Sequence, residues 1–81
     1  MNRELLEYKR KCRGFRTRRA FAAHIGKSDR YYNARENGEV EFSVQDMEDV
    51  TEALQLTLEE FNLIFFDGKL PYGNIQRVDV A

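Results

Sequence analysis

Eleven of the thirteen Lys and Arg residues fall within positions 1–38, where only four acids accompany them; positions 39–81 carry two bases and ten acids. The formal net charge of −1 therefore conceals a basic half of +7 and an acidic half of −8. Cations at this density are chemistry for phosphate, because an approaching polyanion meets the local potential of a face and not the sum over the molecule. On charge alone, a chance segregation of solvated side chains explains the pattern as well. Other chemistries lack their partners. His24 and Cys12 are the only residues of their types, so neither has a second ligand for a metal nor a partner for a nucleophilic pair. Glu59 and Glu60 adjoin, but they sit where a helix start favours acids. Without a Gly-rich phosphate loop or a catalytic cluster, no catalytic residue, metal ligand or cofactor is expected, and the chain does not read as an enzyme.

Eighty-one residues support one thin core, since a chain this short buries only roughly 60% of its unfolded surface. A composition 42% apolar and 33% charged is that of an ordinary globular domain. The aromatic residues, 12% of the chain, are expected to fill that core and not to form a stacking platform for single strands. One cysteine precludes an internal disulfide and suits a reducing compartment. No apolar stretch approaches the roughly 20 residues that span a bilayer, and Met1-Asn2-Arg3-Glu4 is not followed by the apolar run of a signal peptide. The expected setting is cytoplasmic, with no membrane and no small-molecule ligand.

The elements that must position the basic residues read as helices. The first, about Asn2 to Arg13, places Leu5, Tyr8/Lys9 and Cys12 on one face and closes at Gly14. The second starts at the N-cap Thr17, carries Phe21, Ala22 and Ile25 on its inner face, and ends at Gly26. The third runs from the N-cap Ser28 to Glu36 and closes on Asn37-Gly38, a pair suited to left-handed backbone. The fourth opens at Ser43 with an acid three residues on, and its stripe is Val44, Met47, Val50, Thr51 and Leu54. The fifth opens with the capping box Thr57-Leu58-Glu59-Glu60, buries Leu58, Phe61, Ile64 and Phe65, and stops at Asp67-Gly68. The predicted fold class is all-α, a five-helix bundle over residues 1–67 with a tail over 68–81. In the tail, Pro71 to Asn74 reads as a turn, and Ile75 to Val80 as a short strand or an arm.

Thr17 to Gly38 is the informative stretch. Two short helices flank His24-Ile25-Gly26-Lys27-Ser28, with glycine where the turn needs positive φ and the small Ala22 where the helices cross, packed on Tyr32. That is the spacing of a helix-turn-helix, whose second helix enters the DNA major groove. The stretch resembles the Cro/repressor-type (xenobiotic-response-element) regulators of phages and bacteria, with the pattern T-Q-x-x-L-A-x-x-L-G-x-S-x-x-x-I-x-x-x-E-N-G. Here Thr17, Phe21-Ala22, Ile25-Gly26, Ser28, Tyr32 and Glu36-Asn37-Gly38 occupy those positions, and the similarity extends over roughly residues 4–66. The chain departs from the pattern at Arg18, which replaces the usual Gln, and Lys27 and Arg35 stand where the family usually has apolar residues. One extra residue lies between Gly14 and Thr17.

The resemblance implies roles. Base-reading positions fall on Asp29, Arg30 and Asn33, with Ala34 as an apolar neighbour. An arginine such as Arg30 can bond guanine O6 and N7 together, and an Asn such as Asn33 adenine N6 and N7. Asp29 can accept from cytosine N4, or can simply stabilise the helix dipole from the first turn. Phosphate contacts fall on Arg18, Arg19, Lys27, Ser28, Tyr31, Arg35 and Asn37, with Tyr31 open to a packing role instead. For Lys27 and Arg35 the expectation is stems laid over the core with their heads in water. Arg10 and Glu36 correspond to a salt bridge between the first helix and the end of the third.

The implied partner is double-stranded DNA, bound by a homodimer at an inverted repeat with half-sites about 34–36 Å apart. Phe65, Phe66 and the tail residues Tyr72, Ile75, Val78 and Val80 are the candidate dimer surface. With no second domain for a ligand sensor, the chain is closer to a Cro-like phage regulator than to a full-length repressor. Two rivals remain. One is a protein-interaction module, antitoxin- or anti-repressor-like, working through the acidic half, and the other is an architectural binder that touches only phosphates.

Overall fold

Five short polar side chains decide where the helices begin. In the computed structural model, which describes residues 1–69, Asn2 opens α1 (Arg3–Cys12), Thr17 opens α2 (Arg18–His24) and Ser28 opens α3 (Asp29–Glu36). Ser43 opens α4 (Val44–Leu54) and Thr57 opens α5 (Leu58–Phe66). Each side-chain oxygen accepts the backbone N–H three residues on, at 3.0–3.1 Å, satisfying one of the donors that a helix start leaves free. In α4 and α5 the bond is reciprocal: Asp46 accepts the Ser43 N–H at 3.3 Å and Glu60 the Thr57 N–H at 2.9 Å. The all-α, five-helix order is as predicted, with no strand among the described residues. The tail from residue 70 onward, where a strand or arm is expected, lies outside them.

Gly26 makes the turn between α2 and α3. Its φ of +76° is left-handed backbone, which lets Lys27 N–H return to the Ala22 carbonyl at 2.8 Å. A Cβ there would meet nothing within 4 Å, so a substitution is opposed by backbone strain alone. Gly26→Ala is expected to lower stability by about 1–2 kcal/mol without moving the helices. Urea unfolding followed by circular dichroism measures it, and an unchanged midpoint would contradict the turn geometry.

The core is an aromatic chain crossed by aliphatic residues. Phe21 meets Tyr32 edge-on with centroids 5.2 Å apart, Tyr32 meets Phe42 at 6.1 Å, and Phe42 meets Phe65 at 5.4 Å. Leu6, Ala22, Val50, Leu54 and Ile64 are fully buried around it. Edge-on ring pairs add about 0.5–1.5 kcal/mol each beyond the area they bury.

Several predicted stripes are corrected here. In α1 the buried residues are Leu6 and Arg10, while Tyr8 and Cys12 are exposed. Hydropathy assigns an arginine to solvent, but Arg10 finds its counter-charge inside. Val44 and Leu58, first residues of their helices, project past the end of the core and are 72% and 46% exposed. Polar Asp46 and Asn62 are buried instead. Phe65, expected at a dimer surface, is committed to the monomer's own core at 8% exposure.

Candidate nucleic-acid interface

The orientation of α3 is set from inside. Glu36, on its last turn, is fully buried and accepts Arg10 in a two-pronged pair, Nε to Oε1 at 3.0 Å and Nη2 to Oε2 at 3.3 Å. Arg10 Nη1 also donates to the Phe15 carbonyl at 2.7 Å. Tyr32 donates its hydroxyl to Glu36 Oε1 at 2.7 Å, and Arg18 Nε lies 2.5 Å from Oε2. One carboxylate thus ties α1 and α2 to α3, as the resemblance implies for Arg10 and Glu36. Burial, and then the bond to Glu36, hold the Tyr32 phenol un-ionised far above its usual range.

From this root, α3 presents two flanks, and both are occupied. On the first, Asp29, Asn33 and Asn37 stand one turn apart. Asn33 Nδ2 donates to the Asp29 carbonyl at 2.9 Å and to its carboxylate at 2.6 Å. Arg18 Nη1 donates to Asn33 Oδ1 at 3.0 Å and to Asn37 Oδ1 at 2.6 Å. Asn33 and Arg18, expected to meet a base and a phosphate, are therefore already bonded to each other. The departure from Gln to Arg at position 18 makes this possible, because a guanidinium can serve Glu36, Asn33 and Asn37 at once.

The second flank faces α4. Tyr31 donates its hydroxyl to Asp46 Oδ2 at 2.8 Å. Arg35 lays its guanidinium 3.4 Å from the Tyr31 ring centroid and brings Nε to 3.3 Å from the same oxygen. Lys27 Nζ sits 4.9 Å from the ring centroid and 3.9 Å from Asp46 Oδ1. The heads of Lys27 and Arg35, expected in water and within reach of phosphates, are thus turned onto a tyrosine and a buried acid, and Tyr31 takes the packing role. The sequence marks Asp46 only as a capping acid; its link to α3 is a contact fifteen residues distant that the cap pattern does not reveal.

Asp46 is also expected to make the fold acid-sensitive. Burial raises its carboxyl, but the hydrogen bonds from Tyr31 and Ser43 and the Lys27 charge outweigh burial, leaving the group below its ordinary value. A depressed pKa stabilises the folded state above the ordinary aspartate value of about 4, and that stability is lost as pH falls through it toward the lower folded value. Glu60, lowered by Lys9 and by the Thr57 N–H, acts with the same sign. Urea midpoints measured from neutral pH down to about 3 are expected to drop for the native chain, with a shallower drop for Asp46→Asn. Parallel curves would remove Asp46 as the cause.

Between the flanks, opposite buried Tyr32 and Glu36, helical geometry sets Arg30 and Ala34. Arg30 is exposed, Ala34 half-buried, and Arg30 has no hydrogen-bond or ion-pair partner among the described residues. Exposed Arg19 on α2, and exposed Arg16 just before it, are unpaired among the described residues in the same way; Arg16 is a basic residue that motif positions alone do not single out. Ser28 Oγ is engaged as the N-cap of α3. His24 closes α2 with its ring 4.8 Å from Phe15, and the described residues contain no cluster of metal-ligating side chains.

A seven-residue helix, a glycine turn and an eight-residue helix rooted by a buried glutamate define a helix-turn-helix unit within a five-helix domain. The chain belongs to the Cro/C1-type helix-turn-helix family, whose model matches residues 6–61. This is a DNA-binding, regulatory family, and the chain carries its DNA-binding domain. Neither the curated proteins nor the solved structures give a match. Among the described residues no helix is long and apolar enough to cross a membrane.

Proposed function

We propose that the chain is a cytoplasmic, Cro-like transcriptional regulator that reads an operator by placing α3 in the major groove of duplex DNA. The observation that carries this reading is the arrangement of α3: one side rooted on Glu36, both flanks tied to neighbouring helices, and the outward pole left to Arg30 and Ala34. A rigid helix with one unpaired guanidinium on its outer pole suits the two-pronged recognition of guanine. Exposed Arg16 and Arg19 near the start of α2 supply sequence-blind attraction to the backbone.

The domain of residues 1–67 performs the reading and the tail of 68–81 joins two copies, because one such helix touches too few base pairs to bind tightly alone. With Phe65 interior, the helical contribution to that contact falls to half-buried Phe66; Tyr72, Ile75, Val78 and Val80 lie outside the described residues. Selection from a pool of random duplexes at moderate salt, followed by sequencing of the bound fraction, tests the reading. The expected result is an inverted repeat. Retention of every duplex alike would favour a binder of phosphates only, and no retention would favour a protein-interaction module.

A further inference from the structure

Where α3 faces α4, one buried acid holds two bases. Asp46 is 2% exposed, and the Lys27 and Arg35 side chains beside it are 32% and 18% exposed. Arg35 is fixed three ways: its guanidinium covers the Tyr31 ring, Nη1 donates to the Tyr31 carbonyl at 3.1 Å, and Nε faces Asp46 at 3.3 Å. Tyr31 completes the cluster with its own bond to the carboxylate. Lys27 stands two residues before α3 and Arg35 on its last turn. From these ends of the reading helix, freed cations would reach the sugar-phosphate backbone.

We infer that Asp46 is a specificity-determining positioning residue: its carboxylate keeps Lys27 and Arg35 on Tyr31 and off the DNA backbone, withholding sequence-blind charge from the interface. The inference rests on the reading of the chain as a DNA-binding regulator. A lysine or arginine on a phosphate strengthens binding to every duplex equally, so it raises affinity without raising the ratio by which an operator is preferred. Competing sites in a genome are numerous, and a regulator with exposed Arg16, Arg19 and Arg30 already has unpaired positive charge. Two further cations would enlarge the non-specific term. The geometry gives them an internal acid in place of a phosphate, and stacking on Tyr31 fixes the guanidinium plane there.

The test compares the native chain, Lys27→Gln and Asp46→Asn on a random-sequence duplex and on a selected operator duplex, between about 50 and 200 mM salt. If Lys27 is held off the DNA, Lys27→Gln leaves the slope of log affinity against log salt unchanged. Asp46→Asn, which keeps the size and the capping acceptor, is expected to steepen that slope by about one to two units as one or both cations reach phosphates. It should also tighten the random duplex more than the operator, narrowing the ratio between them. A slope shallower by about one unit in Lys27→Gln would overturn the inference, as would an unchanged slope and ratio in a folded Asp46→Asn. Should Asp46→Asn fail to fold, Lys27→Gln decides alone. A native chain that binds no duplex overturns the regulator reading and this inference together, whereas binding with a shallower Lys27→Gln slope overturns the inference only.

Discussion

Glu36→Ala is expected to cost about 3–5 kcal/mol of folding stability, the cost of stranding a buried charge. The replaced carboxylate is fully buried, accepts from Arg10 and Tyr32, and pairs with the Arg18 guanidinium. Without it, Arg10, 2% exposed, keeps only the Phe15 carbonyl, and the Tyr32 hydroxyl loses its acceptor. Domains are stable by only about 5–15 kcal/mol, and one this small belongs toward the low end. Little folding stability should therefore remain near room temperature. The same physics predicts that removing the whole network is milder than removing its centre. Arg10→Met combined with Glu36→Leu and Tyr32→Phe leaves no buried charge at the root of α3, and such replacements are often neutral or stabilising. Arg18, at 26% side-chain exposure, can turn its head to water. Urea unfolding of both variants decides. A loss under about 1 kcal/mol in Glu36→Ala, the worth of an exposed pair, would mean that the buried pair does not hold α3 as described.

That network also marks what the sequence could disclose. Helix starts were legible because a cap is a local device: Thr17, Ser28, Ser43 and Thr57 each act on an N–H three residues away. The turn at Gly26 was legible for the same reason. Inner faces were less so, because the stripe of α1 includes an arginine whose partner lies twenty-six residues away. A period of apolar residues rotates the face of α1 to Tyr8 and Cys12 when Arg10 is discounted. Likewise, Val44 and Leu58 look like core residues by type, but as first residues of their helices they are left exposed. The site behaved in the same manner. Residue type and motif position placed basic and amide side chains on α2 and α3, but not their pairing. Whether Arg18, Asn33, Lys27 and Arg35 meet DNA or one another depends on Glu36 and Asp46, and a one-dimensional pattern carries no distance between them.

These pairings rank the expected readers. If the chain reads an operator as proposed, Arg30→Ala should remove about 1–3 kcal/mol of discrimination at one guanine position, the worth of a two-pronged contact, leaving other positions unchanged. Arg30 is exposed without an internal partner among the described residues, so binding breaks nothing to engage it. Asn33 differs: to bond an adenine it must release Asp29 at Nδ2 and Arg18 at Oδ1, and those bonds offset the ones gained. Asn33→Ala should therefore cost less discrimination than Arg30→Ala. Arg19→Ala supplies the contrast within the interface. On the proposed reading its contact is with phosphate, so affinity should fall evenly across sequences and the salt slope should become shallower by about one unit. Selection from random duplexes with each variant separates the three by position and extent of relaxed preference. If Asn33→Ala relaxes a position more than Arg30→Ala does, the bonds to Arg18 and Asp29 must open on DNA, and the flank facing α2 would be part of the reading surface. If Arg30→Ala changes only overall affinity, the outward pole of α3 contacts backbone and the reading helix sits in the groove at another angle.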